Sequence, residues 1–503
     1  MIPLDLATVA AAVGGRLHRA DGSRQVLGGV EFDSRNVRPG TLFVALPGKN
    51  ADGHEFAEQA VAQGAVAVLA AHEVAAPAIV VPVTGDHVPS RVLALAGDRD
   101  GSGAAVLAAL AKLAGHVVRR LPDCAVVGVT GSCGKTSTKD LIGHLLAPLG
   151  PTVVSPRSFN NELGQPWTVL RAEERTRHLV LELGTRGVGQ LAALCATAPP
   201  RIGVVLNVGD AHLGEFGSRD AIATAKGELV EALPDASAGG VAVLNADDPR
   251  VAAMSTRTSA RVVLTGRAAT AHVRATDVEV DGLARARFTL RLDGAGGTTS
   301  ARIALPTHGE HQVDNALAAA AVALELGATV DDVVAGLQAE RPLAPHRMAV
   351  HRTADGVTVI DDARNASSGS MLAALRTLAS TTTTDGGRKW AVLGAMRELG
   401  DATDETHDRV GGLAARYADR VVSVGGDARL IHAAAAAAGT GARADHVPDT
   451  ESATALLRDE LREGDVVLIK GARLAALWRI AEALLPPEVP STGWDSDFVK
   501  VAD

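Results

Sequence analysis

One stretch constrains this chain more than any other: CAVVGVTGSCGKTSTKDLIGHLL, Cys124–Leu146. Ala125–Val129 reads as a short apolar strand that breaks into glycines. Leu141, Ile142, Leu145 and Leu146 then recur at helical spacing. Strand, glycine loop, Lys-Thr and helix is the order of a phosphate-binding loop, here GxTGxxGKT from Gly128 to Thr136. The commoner GxxxxGK[ST] is not met, because position 129 is Val. The glycines let backbone N–H groups approach phosphate oxygens, and the helix N-terminus adds about half a positive charge. Lys135 would neutralise β/γ-phosphate charge, and the Thr136 hydroxyl would sit on Mg²⁺. The bland alternative is a glycine-rich turn in an ordinary β-α unit. Lys-Thr at the strand-to-helix junction favours a nucleoside triphosphate.

A length of 503 residues allows about three domains with ample buried core. A net charge of −9 offers no electrostatic reason to bind nucleic acid, and 2% aromatic content leaves little base-stacking surface. The first residues, MIPLDLATVAAAVGG, carry an acidic residue and no basic segment, unlike a signal peptide. No apolar run reads as long enough to span a bilayer. Cys124, Cys133 and Cys195 lack metal-ligand spacing and suggest a reducing compartment. Cys133, inside the loop, is either a reactive thiol or a small filler. These features predict a cytoplasmic enzyme with small-molecule partners, no nucleic acid and no membrane span.

Along the chain, residues 1–100 alternate short strands with helices. A strand is expected at Thr41–Leu46, flanked by Asp33, Ser34, Arg35, Lys49, Asp52 and His54, which taken alone read as solvated loop residues. GDRDGSG, Gly97–Gly103, reads as a hinge before a helix at Ala104–Leu113. Residues 101–343 repeat strand then helix, which implies a mostly parallel sheet covered on both faces. Strands are expected at His178–Leu181, Ile202–Leu206 and Gly240–Leu244, and their carboxyl ends are where such sheets bind ligands. Residues 260–306 alternate like an antiparallel β insert. After RPLAPHRM, Arg341–Met348, residues 344–503 restart a β-α series that reads as Rossmann-like without a GxGxxG, ending in a loose tail.

The motifs in this order resemble the Mur ligase family, and within it the branch that adds D-alanyl-D-alanine. They are GxTGxxGKT, FNNELGQP (Phe159–Pro166), ELG (Glu182–Gly184), NVGDAHLGEFGS (Asn207–Ser218), AKGEL (Ala225–Leu229) and NADDP (Asn245–Pro249). Gly309, His311 and Asn315 follow, then DDARNAS, M-x-E-L-G (Met396–Gly400), His407 and KGAR (Lys470–Arg473). The resemblance covers nearly the whole chain. It implies an N-terminal UDP-binding α/β domain, a central ATPase and a C-terminal Rossmann-like domain that brings the amine. The implied reaction adds D-alanyl-D-alanine to UDP-N-acetylmuramoyl-tripeptide through an acyl phosphate, with a monomer as the working form. ATP contacts are implied at Gly131, Ser132, Gly134, Lys135, Thr136, Ser137, Asn315 and Asp362. Two Mg²⁺ ions are implied on Thr136, Glu182, His212 and a carbamylated Lys226; unmodified, Lys226 reads as a surface helix lysine. UDP-substrate contacts are implied at Ser34, Arg35, Asn160 and Asn161, and amine contacts at Arg364, Asn365, Lys470 and Arg473.

The departures concentrate where, on this resemblance, the domains close and the amine docks. Where the family usually shows D-x-Y-N-A-N-P, this chain has Asp362, Ala363, Arg364, Asn365, Ala366, Ser367 and Ser368. Gln190, Ala395, Gln312 and His346 also differ from the usual residues. They fit either drift in the peptidoglycan enzyme or a paralogue with another amine or acid, for example in secondary metabolism. A folylpolyglutamate- or cyanophycin-type ligase shares the loop but lacks the leading uridine-like segment. A non-enzymatic nucleotide switch is disfavoured by the intact Lys135, Thr136, Glu182, His212 and Lys226.

Overall fold

Three sheets carry the chain, and most of their strands are the apolar runs visible in the sequence. In the computed structural model, the described residues are 1–48, 51–83, 95, 98–294, 297–341, 344–384 and 386–485. Lys49, Gly97, residues 342–343 at the expected second boundary and the expected tail lie outside them.

The first sheet orders its strands Arg16–His18, Ala78–Val80, Ala67–Ala70, Leu42–Val44 and Val30–Glu31, parallel except for the Arg16–His18 edge. It is joined to the rest by aromatic rings. Phe32 lies 6.2 Å from Phe159 and 5.8 Å from Trp167, and the Trp167 indole N–H donates to the Val30 carbonyl at 2.8 Å. The helix after the expected hinge runs Ser102–Arg119. By length and composition it could cross a membrane, but it is 56% buried and packs against Leu6–Val13, Gly164–Val169 and Gln190–Thr197. It is a core helix here.

The central sheet has nine strands, in the order Gly297–His308, Arg285–Gly294, Val273–Val280, Arg261–Gly266, Val241–Asn245, Ile202–Val205, Ala125–Thr130, His178–Glu182 and Thr152–Val154. Ala125–Thr130 lies between His178–Glu182 and Ile202–Val205, all parallel. Chain progression reverses there, the switch point where open α/β sheets bind ligands. The expected antiparallel insert needs one correction. Arg261–Gly266 is a parallel strand beside Val241–Asn245; antiparallel pairing begins only at the hairpins after Val273–Val280. Those hairpins continue the same sheet. The reason is the helix Gln312–Glu325, which lays Ala316–Ala323 across parallel and antiparallel strands alike and buries all of them.

The third sheet runs Ala349–Arg352, Thr358–Asp361, Val466–Lys470, Lys389–Gly394, Arg420–Val424 and Arg443–Val447, parallel except for its first edge strand. Trp390 is fully buried in it, donates to Asp465 Oδ2 at 3.0 Å and has the Arg420 guanidinium 4.4 Å from its ring centre. Trp390→Ala leaves a cavity and a buried carboxylate with one donor fewer. It should destabilise this unit by about 3–5 kcal/mol, read from its chemical unfolding transition.

Candidate active site

The phosphate loop is built as the glycines require. Gly131 has φ of 156° and Gly134 of 84°, and a Cβ on Gly134 would meet Asn315 Oδ1 at 2.6 Å. The helix Lys135–Leu146 therefore starts with its N-terminus bare of side chains. The amides of Ser132 and Cys133 both donate to Asn207 Oδ1 at 3.0 Å, and the Lys135 ammonium donates to the Gly131 carbonyl at 2.6 Å. Two amides and an ammonium thus converge on oxygen acceptors, the donor set a phosphate needs. Asn207, quoted in a motif but not assigned to the loop from sequence, holds it open. Thr138 donates to Asn315 Oδ1 at 3.1 Å, and Asn315 donates in turn to Gln312 Oε1 at 2.9 Å. Ser137 follows Thr136 in the first helical turn and is half-buried.

The Thr136 hydroxyl donates to Glu182 Oε2 at 2.8 Å, at the end of the neighbouring strand. Glu182 is 1% exposed, and its other oxygen accepts from Asn160 Nδ2 at 2.8 Å. Two hard oxygens meeting in a buried site fit a Mg²⁺ ion. The expected UDP contacts Asn160 and Asn161 are placed differently. Asn160 orients Glu182, while Asn161 Oδ1 accepts at 2.9 Å from the amide of Gly164, the first residue of the helix Gly164–Val169. Short amide side chains at a helix start are drawn to the unpaired backbone N–H groups.

Lys226 is no surface lysine: it is 4% exposed on the helix Arg219–Glu231. Among the described residues nothing hydrogen-bonds or ion-pairs with it. Burial first, then the nearby Lys135 charge, holds its ammonium well below the ordinary lysine range. Burial likewise lowers Lys135, opposed by Glu182. The Cys133 thiol is pushed up by burial and rests on Asn207 Oδ1 at 3.4 Å, which makes it a filler rather than a nucleophile.

His212 has left-handed backbone, φ 61°, and its Nδ1 pairs with Glu398 of the third unit rather than with Glu182. His212, Glu215 and Glu398 gather within ligand distance of one another. Glu398 was quoted within M-x-E-L-G, yet nothing in its spacing says that it crosses to another unit.

In the third unit, Lys470 is 2% exposed and donates to Asp362 Oδ2 at 2.5 Å and the Asn365 carbonyl at 2.8 Å. Lys470 holds the DDARNAS loop from beneath. Asp362 is committed to Lys470 and to the Met348 amide at 3.1 Å. Arg364 and Arg473 are half-buried and Asn365 is exposed on the same rim. In the first unit, Arg35 forks onto Asp33 at 3.0 and 2.7 Å, and Ser34 opens the 3-10 turn that Asp33 caps.

Several departures have local causes. His346 takes φ of 58°, a conformation natural to glycine, and is anchored by Asp361 Oδ2 at 2.7 Å. Ser367 caps the helix Ser368–Ser380 in a capping box, as an asparagine would. Gln190 accepts from the Arg186 amide at 2.8 Å, and Gln312 orients Asn315.

Removing the loop ammonium should be felt only when phosphate is bound. Lys135→Ala should lower turnover by about 3 kcal/mol or more in barrier, over a hundredfold, with an unchanged unfolding transition. A phosphate-release assay beside a denaturation curve reads both.

Comparison with known proteins agrees with this geometry. The family descriptions "Mur ligase family, catalytic domain", "Mur ligase middle domain" and "Mur ligase, glutamate ligase domain" match residues 27–117, 129–323 and 346–473. The UDP-N-acetylmuramoyl-tripeptide–D-alanyl-D-alanine ligase of Mycobacterium tuberculosis is 52% identical, over 96% of this chain and 98% of its own. The Escherichia coli enzyme of the same name is 34% identical, over 96% and 99%. A crystal structure of MurF from Acinetobacter baumannii superposes with a TM-score of 0.80 at 28% identity, covering 96% of this chain and 98% of that one. MurF ligase from Thermotoga maritima, solved in complex with ADP, gives 0.73 at 29%, covering 90% and 96%. With matched family segments at the phosphate loop and both flanking units, the chain belongs to the Mur ligase family, in its MurF branch.

Proposed function

We propose that this chain is the ATP-dependent ligase that adds D-alanyl-D-alanine to UDP-N-acetylmuramoyl-tripeptide in peptidoglycan precursor synthesis. The observation that carries it is the Thr136–Glu182 pair at the mouth of the phosphate loop, 2.8 Å apart. It joins the groups needed to hold a metal-bound triphosphate at the sheet's switch point, with the first and third units abutting that site.

The residues divide the work by charge. The Ser132 and Cys133 amides and Lys135 take the phosphates, and Asn315 holds the loop beneath the nucleotide. Thr136 and Glu182 would hold one Mg²⁺, and His212 with a carbamylated Lys226 a second. When bound, these ions supply charge neutralisation between ATP and the carboxylate substrate. Burial disfavours the Lys226 ammonium, and a neutral lysine amine is the form whose nitrogen would bond to CO2, losing a proton and leaving an anionic carbamate. Phosphoryl transfer then rests on positioning. A carboxylate oxygen attacks the γ-phosphorus and ADP leaves; the amine attacks the acyl carbon, sheds a proton and phosphate leaves. Ser34 and Arg35 serve the uridine nucleotide, and Arg364, Asn365 and Arg473 the incoming dipeptide. The domain limits 1–100, 101–343 and 344–503 suit this division. A paralogue with another amine is disfavoured, because His346, Ser367, Gln190 and Gln312 have structural uses that leave the chemistry alone.

Phosphate release by the purified chain should require UDP-N-acetylmuramoyl-tripeptide and D-alanyl-D-alanine together; release only with a different amine overturns the assignment. Arg364→Tyr should change kcat or the dipeptide KM about tenfold, since a guanidinium makes a charge-assisted bond worth ~1.5 kcal/mol that a phenol does not. Parent-like kinetics would make Arg364 a tolerated rim residue.

Bicarbonate depletion should slow the parent, and short carboxylic acids should partly restore Lys226→Ala. Full activity in untreated Lys226→Ala would remove the carbamate from the proposal.

A further inference from the structure

The segment 207–218 follows the strand Ile202–Val205 and carries little apolar surface, yet four features of the third unit meet it. Asp210 is held by Arg219, whose Nη2 donates to Oδ2 at 2.9 Å. The same Oδ2 accepts from the buried Ser368 hydroxyl at 2.8 Å, with Arg409 of the third unit 3.9 Å away. In the opposite sense, Glu398 reaches out of the third unit. Its carboxylate pairs with His212 and accepts from Arg186 Nη2 at 3.0 Å, and its carbonyl accepts from the Gly214 amide at 3.1 Å. Glu398 does this from left-handed backbone, φ 65°, a conformation that costs a non-glycine residue and is held by its partners. Between the two carboxylates the backbones touch. A Cβ on Gly214 would lie 2.5 Å from Gly400 N, and one on Gly400 2.6 Å from the Gly214 Cα.

We propose that Asp210 and Glu398 are reciprocal positioning residues, a two-carboxylate clasp that seats the third unit on segment 207–218, with Gly214–Gly400 as its steric gauge. Asp210 is oriented within its own unit by Arg219 before it receives Ser368 and Arg409, and the Glu398 carboxylate takes His212 and Arg186 across the gap, so the clasp specifies one relative placement. Glu398 also ties that placement to His212. This rests on the ligase reading for its kinetic consequence, though not for its geometry.

The test uses the full chain with Gly214→Ala, Ser368→Ala and Ser368→Thr. Gly214 lies in the short helix Leu213–Phe216 outside left-handed backbone, so alanine suits its own conformation and offends only the Leu399–Gly400 backbone of the third unit. Small-angle scattering with Mg²⁺ and ATP reads the arrangement without turnover. Gly214→Ala should be more extended than the parent, with the KM for D-alanyl-D-alanine raised about tenfold and that for ATP within about twofold. Ser368→Ala should raise the dipeptide KM several-fold, and Ser368→Thr, which keeps the hydroxyl, should restore it. Parent-like scattering and dipeptide KM in Gly214→Ala overturn the clasp. So does a Ser368→Thr protein as impaired as Ser368→Ala, which would make the position one of packing. Scattering does not depend on catalysis, so failure of the ligase reading leaves that comparison to decide the clasp.

Discussion

The hydroxyl of Thr136 bonded to the carboxylate of Glu182 is the contact around which the catalytic half of this protein is arranged. It requires two adjacent parallel strands, Ala125–Thr130 and His178–Glu182, to end level with each other. It also requires the helix after the first to begin within one turn of the strand end. Gly131 and Gly134 meet the second requirement by adopting conformations that side chains resist. Asn160 then fixes the free carboxylate oxygen, and Gly184 leaves room for it, since a Cβ there would lie 2.8 Å from the Asn160 amide.

Around this contact the site concentrates charge that the protein leaves partly unanswered. Burial disfavours the ammonium of both Lys135 and Lys226, and the Lys135 charge lowers Lys226 further. A buried ammonium is disfavoured without a partner anion, and Glu182 answers Lys135 only in part, so the arrangement suits the arrival of a further anion. A triphosphate brings its negative charge to the place where these amines and amides point. The same logic separates Lys470 from them. Its ammonium is held by Asp362 and the Asn365 carbonyl, so it shapes a loop.

The third unit bears on the site through polar contacts rather than an extended apolar face. Ser368, Arg409 and Glu398 meet Asp210, His212 and Arg186 across the gap. Hydrogen-bonded carboxylates impose direction and distance, whereas apolar surface slides. The first unit is joined differently, by the Phe32, Phe159 and Trp167 rings and one indole bond, which suits a joint that need not be remade in each turnover.

What the chain's order of residues determines is local. The strand-glycine-Lys-Thr-helix run is legible because its geometry follows from glycine's free φ and a helix's unpaired amides, both properties of neighbours in sequence. The parallel series was legible for the same reason, as buried strands read as unbroken β-branched runs. Tertiary structure alone decided which polar groups face each other. Asn160 and Asn161 are identical in type and adjacent, yet one orients a buried carboxylate and the other binds the amide that begins a helix. Lys226 and Lys470 look like ordinary lysines in a motif, and the fold buries one without a side-chain partner among the described residues and makes the other a strut. Arg261–Gly266 carries the same alternation as its successors but joins the parallel strands, because pairing direction is set by the neighbour and by the helix Gln312–Glu325 covering both. Spacing along a chain encodes periodicity; it does not encode which distant carboxylate will lie within three ångströms of a hydroxyl.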